Sequence, residues 1–253
     1  MGIVVSIWAR EIGKRIDFQL DRISKNKTGG KRIFSPQYTN RKEEIAEIKL
    51  FLMDGNLSNV LDYGCGEAPY RYLAPDKWIG IDIDKEKGDY VIEEHELPNE
   101  EIKYSHFLCT SVMEHMNDIN KFLLNFEKKV PDGTICLFTI PFLVHEHGAP
   151  NDFWRFTYNG VEKLFEKYEI INIKKLYGVG FCVSHLINVS IDSLFRSNIL
   201  GNIFRILFFP FFASIYSVNN LAGFLIDLLL GTSKTKFLYN SVLIRFKKSH
   251  KTS

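Results

Sequence analysis

Val60–Pro69 reads VLDYGCGEAP: a short apolar strand that delivers Asp62 and then breaks at Gly64-Cys65-Gly66. A glycine turn at the carboxyl edge of a strand is where a ligand approaches the backbone closely, and a side chain there would block it. A second strand follows and ends in Ile79–Asp84 (IGIDID), which places Asp82 16 residues past Gly66. That spacing suits a carboxylate holding the two hydroxyls of a ribose. The third glycine of a dinucleotide fingerprint is replaced by Pro69, and no lysine follows the turn to cradle phosphates. Asp62 and Glu67 beside the turn are wrong for a pyrophosphate and suit a cationic ligand.

Outward from this stretch the chain alternates strand and helix. Strands are predicted at 59–63, 78–83, 90–93, 106–112, 134–142, 169–177 and 238–246. Helices are predicted from a capping box at Asn40 and Glu43 to about Met53, over Ile119–Lys129, and from Asn159 and Glu162 through Tyr168. A short helix through Tyr70–Leu73 must start directly after Pro69. Most of the strands are apolar on both faces, which predicts an α/β fold with a doubly wound, mostly parallel seven-stranded sheet.

Residues 1–38 read as a basic lead-in, with Ile3, Val4, Ile7, Trp8, Ile12 and Ile16 at helical spacing. Residues 39–253 read as one domain, interrupted by an apolar helical insertion at 199–231 before the last strand. That insertion holds two charges, Arg205 and Asp227, and Pro210, Asn219–Asn220 and Gly223 within it predict two helices bent at the asparagines. Three placements suit it: a hairpin packed on the sheet, an in-plane membrane contact through Phe204, Phe208, Phe209, Phe211 and Phe212, or a span.

The formal charge of the 253 residues is +2. Its distribution is uneven: residues 1–42 carry ten Lys/Arg against three Asp/Glu, and residues 234–253 carry six Lys/Arg and no acid. Two basic ends around an acidic body suggest an anionic surface as partner, with no continuous basic groove for nucleic acid. The four cysteines are far apart, without disulfide or zinc spacing, and no secretory pattern is visible. The expected location is the cytoplasm, peripheral at the inner face of the membrane.

DxGCGxxP followed by GxDID resembles the first two motifs of class I S-adenosylmethionine-dependent methyltransferases, of the type 11-like kind, whose fold is Rossmann-like. Val112-Met113-Glu114-His115 resembles the family's "VLEH" after the fourth strand, and Val130–Gly133 (VPDG) its "LKPGG" turn. Residues 140–157, IPFLVHEHGAPNDFWRFT, resemble a subgroup that occurs in surface-polysaccharide biosynthesis. The resemblance implies S-adenosyl-L-methionine as cofactor. It places Asp62, Gly64 and Gly66, with Cys65 between the glycines, on its methionine and ribose side. Asp82 would hold the ribose hydroxyls, Ile83 would lie beside the adenine, and Glu93 would reach the adenine amine. Ser111 and Val112 would line the sulfonium pocket.

Methyl transfer to a hydroxyl needs a group that removes the acceptor's proton. The stretch after Phe142 supplies His145, Glu146, His147, Asp152 and Arg155. His147 is the expected general base, with Asp152 or Arg155 orienting it or gripping an anionic acceptor. Equally, Asp152 and Arg155 could form an internal pair that staples the loop. His115, at a helix entrance, reads as structural. No metal is expected, because His145 and His147 lack an identifiable third ligand. The acceptor suggested by the subgroup is a small molecule: a hydroxyl of a sugar or lipid-linked glycan. Methylation of a quinone or other lipid, and a non-catalytic cofactor-binding or membrane-docked scaffold, are the alternatives.

Overall fold

The structure, a computed structural model, describes residues 32–38, 41–98, 102–196, 199–231 and 237–250. The helical pattern expected before residue 32 and the cap expected at Asn40 lie outside them. The chain forms two compact units: one is Lys42–Tyr177 with Tyr239–Ser253, and the other is Gly178–Leu238 with the described residues before Lys42. The insertion expected at 199–231 therefore belongs to a larger helical unit that begins at Gly178.

The first unit contains α1 (Lys42–Met53), β1 (Val60–Tyr63), β2 (Trp78–Asp82), β3 (Tyr90–Val91), β4 (His106–Thr110), α2 (Ile119–Lys129), β5 (Ile135–Pro141), α3 (Tyr158–Leu164), β6 (Tyr168–Leu176) and β7 (Ser241–His250). The seven strands form one sheet in the order β3-β2-β1-β4-β5-β7-β6. Only β7 runs antiparallel to its neighbours. Strand alternation sorts the core into two layers. Leu61, Phe107, Phe138, Ile244 and Phe246 face one side, where they pack with Phe122, Phe126, Phe165 and Tyr168. Val60, Leu108, Leu137 and Leu243 face the other, under Ile48 and Phe51 of α1. Both faces are covered, as a largely parallel sheet requires.

Two local expectations are corrected. The third helix starts at Tyr158 and is capped by Thr157, whose hydroxyl accepts from the Gly160 N–H at 3.1 Å, so Asn159 lies inside the helix. Residues 71–73 form a single short turn of 3₁₀ helix.

Among its described residues the second unit holds three helices, α4 (Val179–Arg196), α5 (Ile199–Leu207) and α6 (Phe209–Leu230). α6 runs unbroken through Asn219–Asn220, so the expected bend is absent. The break falls at Phe208 instead, and Pro210 sits in the first turn of α6, where its missing N–H costs no hydrogen bond. The asparagines pair across helices: Asn188 donates to Asn220 and Asn219 donates to Asn188, both at 2.9 Å. α4 and α6 meet at Gly180 and Gly223, where a Cβ on Gly180 would lie 2.1 Å from the Gly223 carbonyl oxygen. Asp227 caps α4 by accepting from the N–H groups of Gly180 and Phe181 at 2.8 and 2.9 Å. Arg205 forms a buried ion pair with Asp192 at 3.0 Å. Both charges of the apolar segment are thus used inside the unit. α6 is long and apolar enough to cross a membrane by length and composition.

Candidate functional site

Chain order reverses in the sheet between β1 and β4, and a crevice at such a switch point is where α/β sheets bind ligands. A cleft of about 400 Å³ opens there, lined by Tyr63, Gly64, Ser111 and Val112 from the ends of β1 and β4 and by Asp82 and Ile83 from the end of β2. Ile92, Glu94, His95, His115, Met116, Gly148 and Asn151 complete it.

The glycine turn is built as the sequence requires. Gly64 has φ +66°, and a Cβ on it would lie 2.5 and 2.9 Å from the two Val112 methyls. The Gly66 N–H donates to Asp82 Oδ2 at 2.9 Å, and the Asp84 N–H donates to Oδ1 at 2.9 Å. Two backbone donors therefore fix this carboxylate between the turn and the end of β2.

Of the residues expected at a cofactor, Gly64, Asp82, Ile83, Ser111 and Val112 line the cleft. Asp62, Cys65, Gly66 and Glu93 do not. Asp62 is buried beneath it, accepting from Trp78 Nε1 at 2.9 Å. Burial pushes its carboxyl up to about 7, against the lowering effect of the Trp78 bond. Cys65 packs inward against Gly80, whose added Cβ would lie 2.8 Å from Sγ, and burial pushes its thiol up to about 12. Glu94 takes the place in the cleft wall expected for Glu93. The lining carries the carboxylates of Asp82 and Glu94 and no Lys or Arg. This set fits a cationic nucleoside, with Ile83, Ile92, Val112 and Met116 as its apolar surface, and does not fit a phosphate.

The loop after β5 folds against the short turn Met113–His115 that follows β4. The Phe153 and Trp154 N–H groups both donate to the Glu114 carbonyl, at 2.7 and 3.2 Å. Trp154 Nε1 donates to the Met116 carbonyl at 2.8 Å. Gly148, at φ +70°, lets the loop pass His115: a Cβ there would lie 3.1 Å from His115 Cε1. This clamp brings the His115 and His147 rings to a centroid separation of 4.9 Å at 83°.

Asp152 and Arg155 form the internal staple. Both terminal guanidinium nitrogens donate to the Asp152 carboxylate, NH2 at 2.7 Å. Arg155 also donates to the carbonyls of Val144, His145 and Trp154. The guanidinium is spent on its own loop, which corrects the expectation that it grips an acceptor. Asp152 accepts the His147 N–H at 2.8 Å, so it positions the histidine through the backbone. Its carboxyl is held well below the usual carboxylate range, chiefly by Arg155.

His147 stands behind the cleft wall and does not line it, whereas His115 does. Between them lies Glu114, whose carboxylate oxygen Oε1 is 3.7 Å from His147 Nε2 and 3.8 Å from His115 Nε2. Glu114 raises the His147 pKa above its ordinary value, partly offset by burial. Neither Glu114 nor His115 is evident as a site residue from the sequence. The signal was in the "MEH" turn after β4, but its pairing with a loop more than thirty residues on is a tertiary event.

A family model for a methyltransferase domain matches residues 36–178. No curated protein matches the sequence. Among solved structures, coclaurine N-methyltransferase bound to N-methylheliamine and SAH aligns at 12% identity, covering 84% of this chain and 76% of that one, with a TM-score of 0.48. The N-methyltransferase NodS from Bradyrhizobium japonicum WM9, in complex with S-adenosyl-l-homocysteine, aligns at 13% identity over 81% of this chain and 86% of that one, with a TM-score of 0.44. The [4+2]-cyclase SpnF aligns at 13% identity over 82% and 79%, with a TM-score of 0.48.

Proposed function

We propose that this chain, which belongs to the methyltransferase domain family and is an S-adenosylmethionine-dependent methyltransferase, acts on a hydroxyl of a sugar or lipid-linked glycan. The observation that supports this acceptor chemistry is the Glu114–His115–His147 cluster at the wall of the cleft. A hydroxyl must lose its proton as it is methylated, and a cluster of two imidazoles and a buried carboxylate is suited to drawing that proton away. The IPFLVHEHGAPNDFWRFT stretch, which includes His147, carries the resemblance to a subgroup that occurs in surface-polysaccharide biosynthesis.

Bound in the cleft, S-adenosylmethionine supplies an electrophilic methyl carbon on a sulfonium. Asp82 would hold the ribose hydroxyls, and its two backbone bonds keep its oxygens aimed without further ordering. Ile83 and Ile92 would flank the adenine, with Glu94 within its reach. Ser111 and Val112 would border the sulfonium, and Gly64 would leave room for the chain of the amino acid. His115 would face the acceptor, with Glu114 and His147 behind it. Alignment and exclusion of water then contribute most of the acceleration.

The test is transfer of tritiated methyl from S-adenosylmethionine to fractionated extracts. Label is expected in the lipid-linked glycan fraction, as an ether stable to mild alkali. Label confined to the quinone fraction would replace the glycan reading with the lipid one. Binding of cofactor with no label in any fraction would favour the scaffold.

We also propose a peripheral membrane role for the helical unit. Asp192, Arg205 and Asp227 are paired inside it, and Phe211 and Leu229 of α6 are 61% and 83% exposed. Large contiguous apolar surface on a helical face suits a lipid boundary. The basic C-terminal stretch contributes less than its composition suggests. Arg245 and Lys248 lie on β7 and pair with Asp54 and Asp132 at 3.3 and 2.8 Å. Cosedimentation with phosphatidylglycerol-containing vesicles should survive 0.5 M salt at about half strength or better, because burial of apolar surface is not screened. The Phe211→Glu/Leu229→Glu variant should bind at least tenfold more weakly. Equal recovery with and without vesicles would remove the proposal, and release only by detergent would replace it with a span.

A further inference from the structure

Three ligand-type atoms converge at the wall of the cleft. His115 Nδ1 donates to the Asn151 carbonyl, and His147 Nδ1 donates to the His145 carbonyl at 3.1 Å. A carbonyl oxygen can only accept, so each Nδ1 carries the proton, and each neutral ring keeps its lone pair on Nε2. Those two Nε2 atoms lie 3.8 and 3.7 Å from the same oxygen, Oε1 of Glu114. The Glu114 side chain is 0% exposed. Neither of its carboxylate oxygens has a hydrogen-bond partner among the described residues. One ligand atom from each of the three residues lies within 4.8 Å of the other two. A buried carboxylate facing two imidazole lone pairs needs positive charge at the point where they converge.

The geometry points to a divalent transition-metal site formed by Glu114 Oε1, His115 Nε2 and His147 Nε2, where the acceptor hydroxyl binds as a further ligand. Bonds of 2.0–2.2 Å in a tetrahedral set give ligand–ligand spacings of about 3.4 Å, so the two Glu114–histidine spacings need contract by only a few tenths of an ångström, and the two imidazole nitrogens start within 4.8 Å of each other. Two imidazoles and one carboxylate are a ligand set for zinc or another first-row divalent ion, with at least one position left for a small ligand. Backbone carbonyls on both Nδ1–H groups are the outer contacts that fix such histidines. Asp152 stands 3.5 Å from His147 Nδ1 and adds a carboxylate behind that ligand. Because His115 lines the cleft, the site adjoins the space assigned to the cofactor.

Its role rests on the methyltransferase reading, although ion binding itself does not. A hydroxyl on the ion is more acidic. Its proton passes to water, its oxygen forms the O–CH₃ bond as the S–CH₃ bond breaks, and sulfur keeps the electron pair. No oxidant or reductant is involved.

The test is calorimetric titration of chelator-treated, full-length protein with Zn²⁺ in the absence of cofactor. Co²⁺ substitution gives a second readout in visible d–d absorption. About one equivalent of Zn²⁺ should bind with a dissociation constant of roughly micromolar or tighter. Glu114→Gln and His147→Ala should each weaken it at least 100-fold, and His147→Cys, which offers another zinc ligand, should recover part of the loss. Glu146→Gln, in the same loop, should bind as the parent does. Thermal melts confirm that each variant is folded, and S-adenosylhomocysteine binding is measured in parallel. Cofactor binding without stoichiometric ion binding, or equal ion binding by Glu114→Gln and the parent, overturns the metal site alone. Ion binding without cofactor binding overturns the methyltransferase reading and leaves the metal site standing.

Discussion

Gly64→Ala is expected to weaken S-adenosylhomocysteine binding at least 30-fold and to lower stability by about 1–3 kcal/mol. Two separate effects add here. The position has φ +66°, where an L-residue with a Cβ costs about 1–2 kcal/mol. The added Cβ would also lie 2.5 Å from one Val112 methyl and 2.9 Å from the other, closer than such atoms sit. Valine is stiff at χ1, so it cannot rotate clear at no cost, and backbone movement would shift either β1's turn or the end of β4. Both elements line the cleft. The double variant Gly64→Ala/Val112→Ala removes the clash and keeps the strained φ, so it should recover part of the binding and little of the stability. Calorimetric titration beside thermal denaturation separates the two effects. Undiminished binding by Gly64→Ala would mean that the turn does not approach the cofactor.

His147→Ala and His115→Ala are each expected to reduce turnover by about two orders of magnitude or more, the usual worth of groups through which an acceptor proton is removed, whether they take it directly or hold the ion that acidifies the hydroxyl. The loss should fall on kcat. For His147→Ala, S-adenosylhomocysteine affinity should stay within about threefold, because His147 stands behind the cleft wall. His115 lines the cleft, so a change of up to about tenfold in affinity is expected there. The paired substitution should cost little more than either single one, since residues that act as a unit are not additive. Unchanged turnover in either single variant would remove that histidine from the chemistry.

The fold was largely readable because its signals are local. Most strands are marked by an apolar run, and the glycine turn at the end of β1 by Gly64 and Gly66. What failed to read was decided by partners distant in sequence. Asn219–Asn220 has the composition of a bend, but in α6 these amides are satisfied across helices by Asn188 and by the carbonyls of Ile33 and Ser35. Gly178 and Gly180 have the composition of a loop, yet Val179–Arg196 is a helix whose glycine admits α6 closely. The same limit applies at the site. Asp62 and Cys65 sit in the motif, but their side chains alternate inward, one toward Trp78 and the other toward Gly80. His147 was visible as a titratable residue in a polar loop. Its link to Glu114 and His115 depends on the clamp between that loop and the turn after β4, which no spacing encodes.

In the proposed reading the cleft at the switch point would hold S-adenosylmethionine through the turn after β1 and the carboxylate at the end of β2. The most direct measurement is calorimetric titration of the full chain with S-adenosylhomocysteine, alongside Asp82→Ala. One site of roughly micromolar affinity is expected in the parent and a loss of at least tenfold in Asp82→Ala, with both proteins folded by circular dichroism. No binding by the folded parent, or equal binding by the variant, would contradict it.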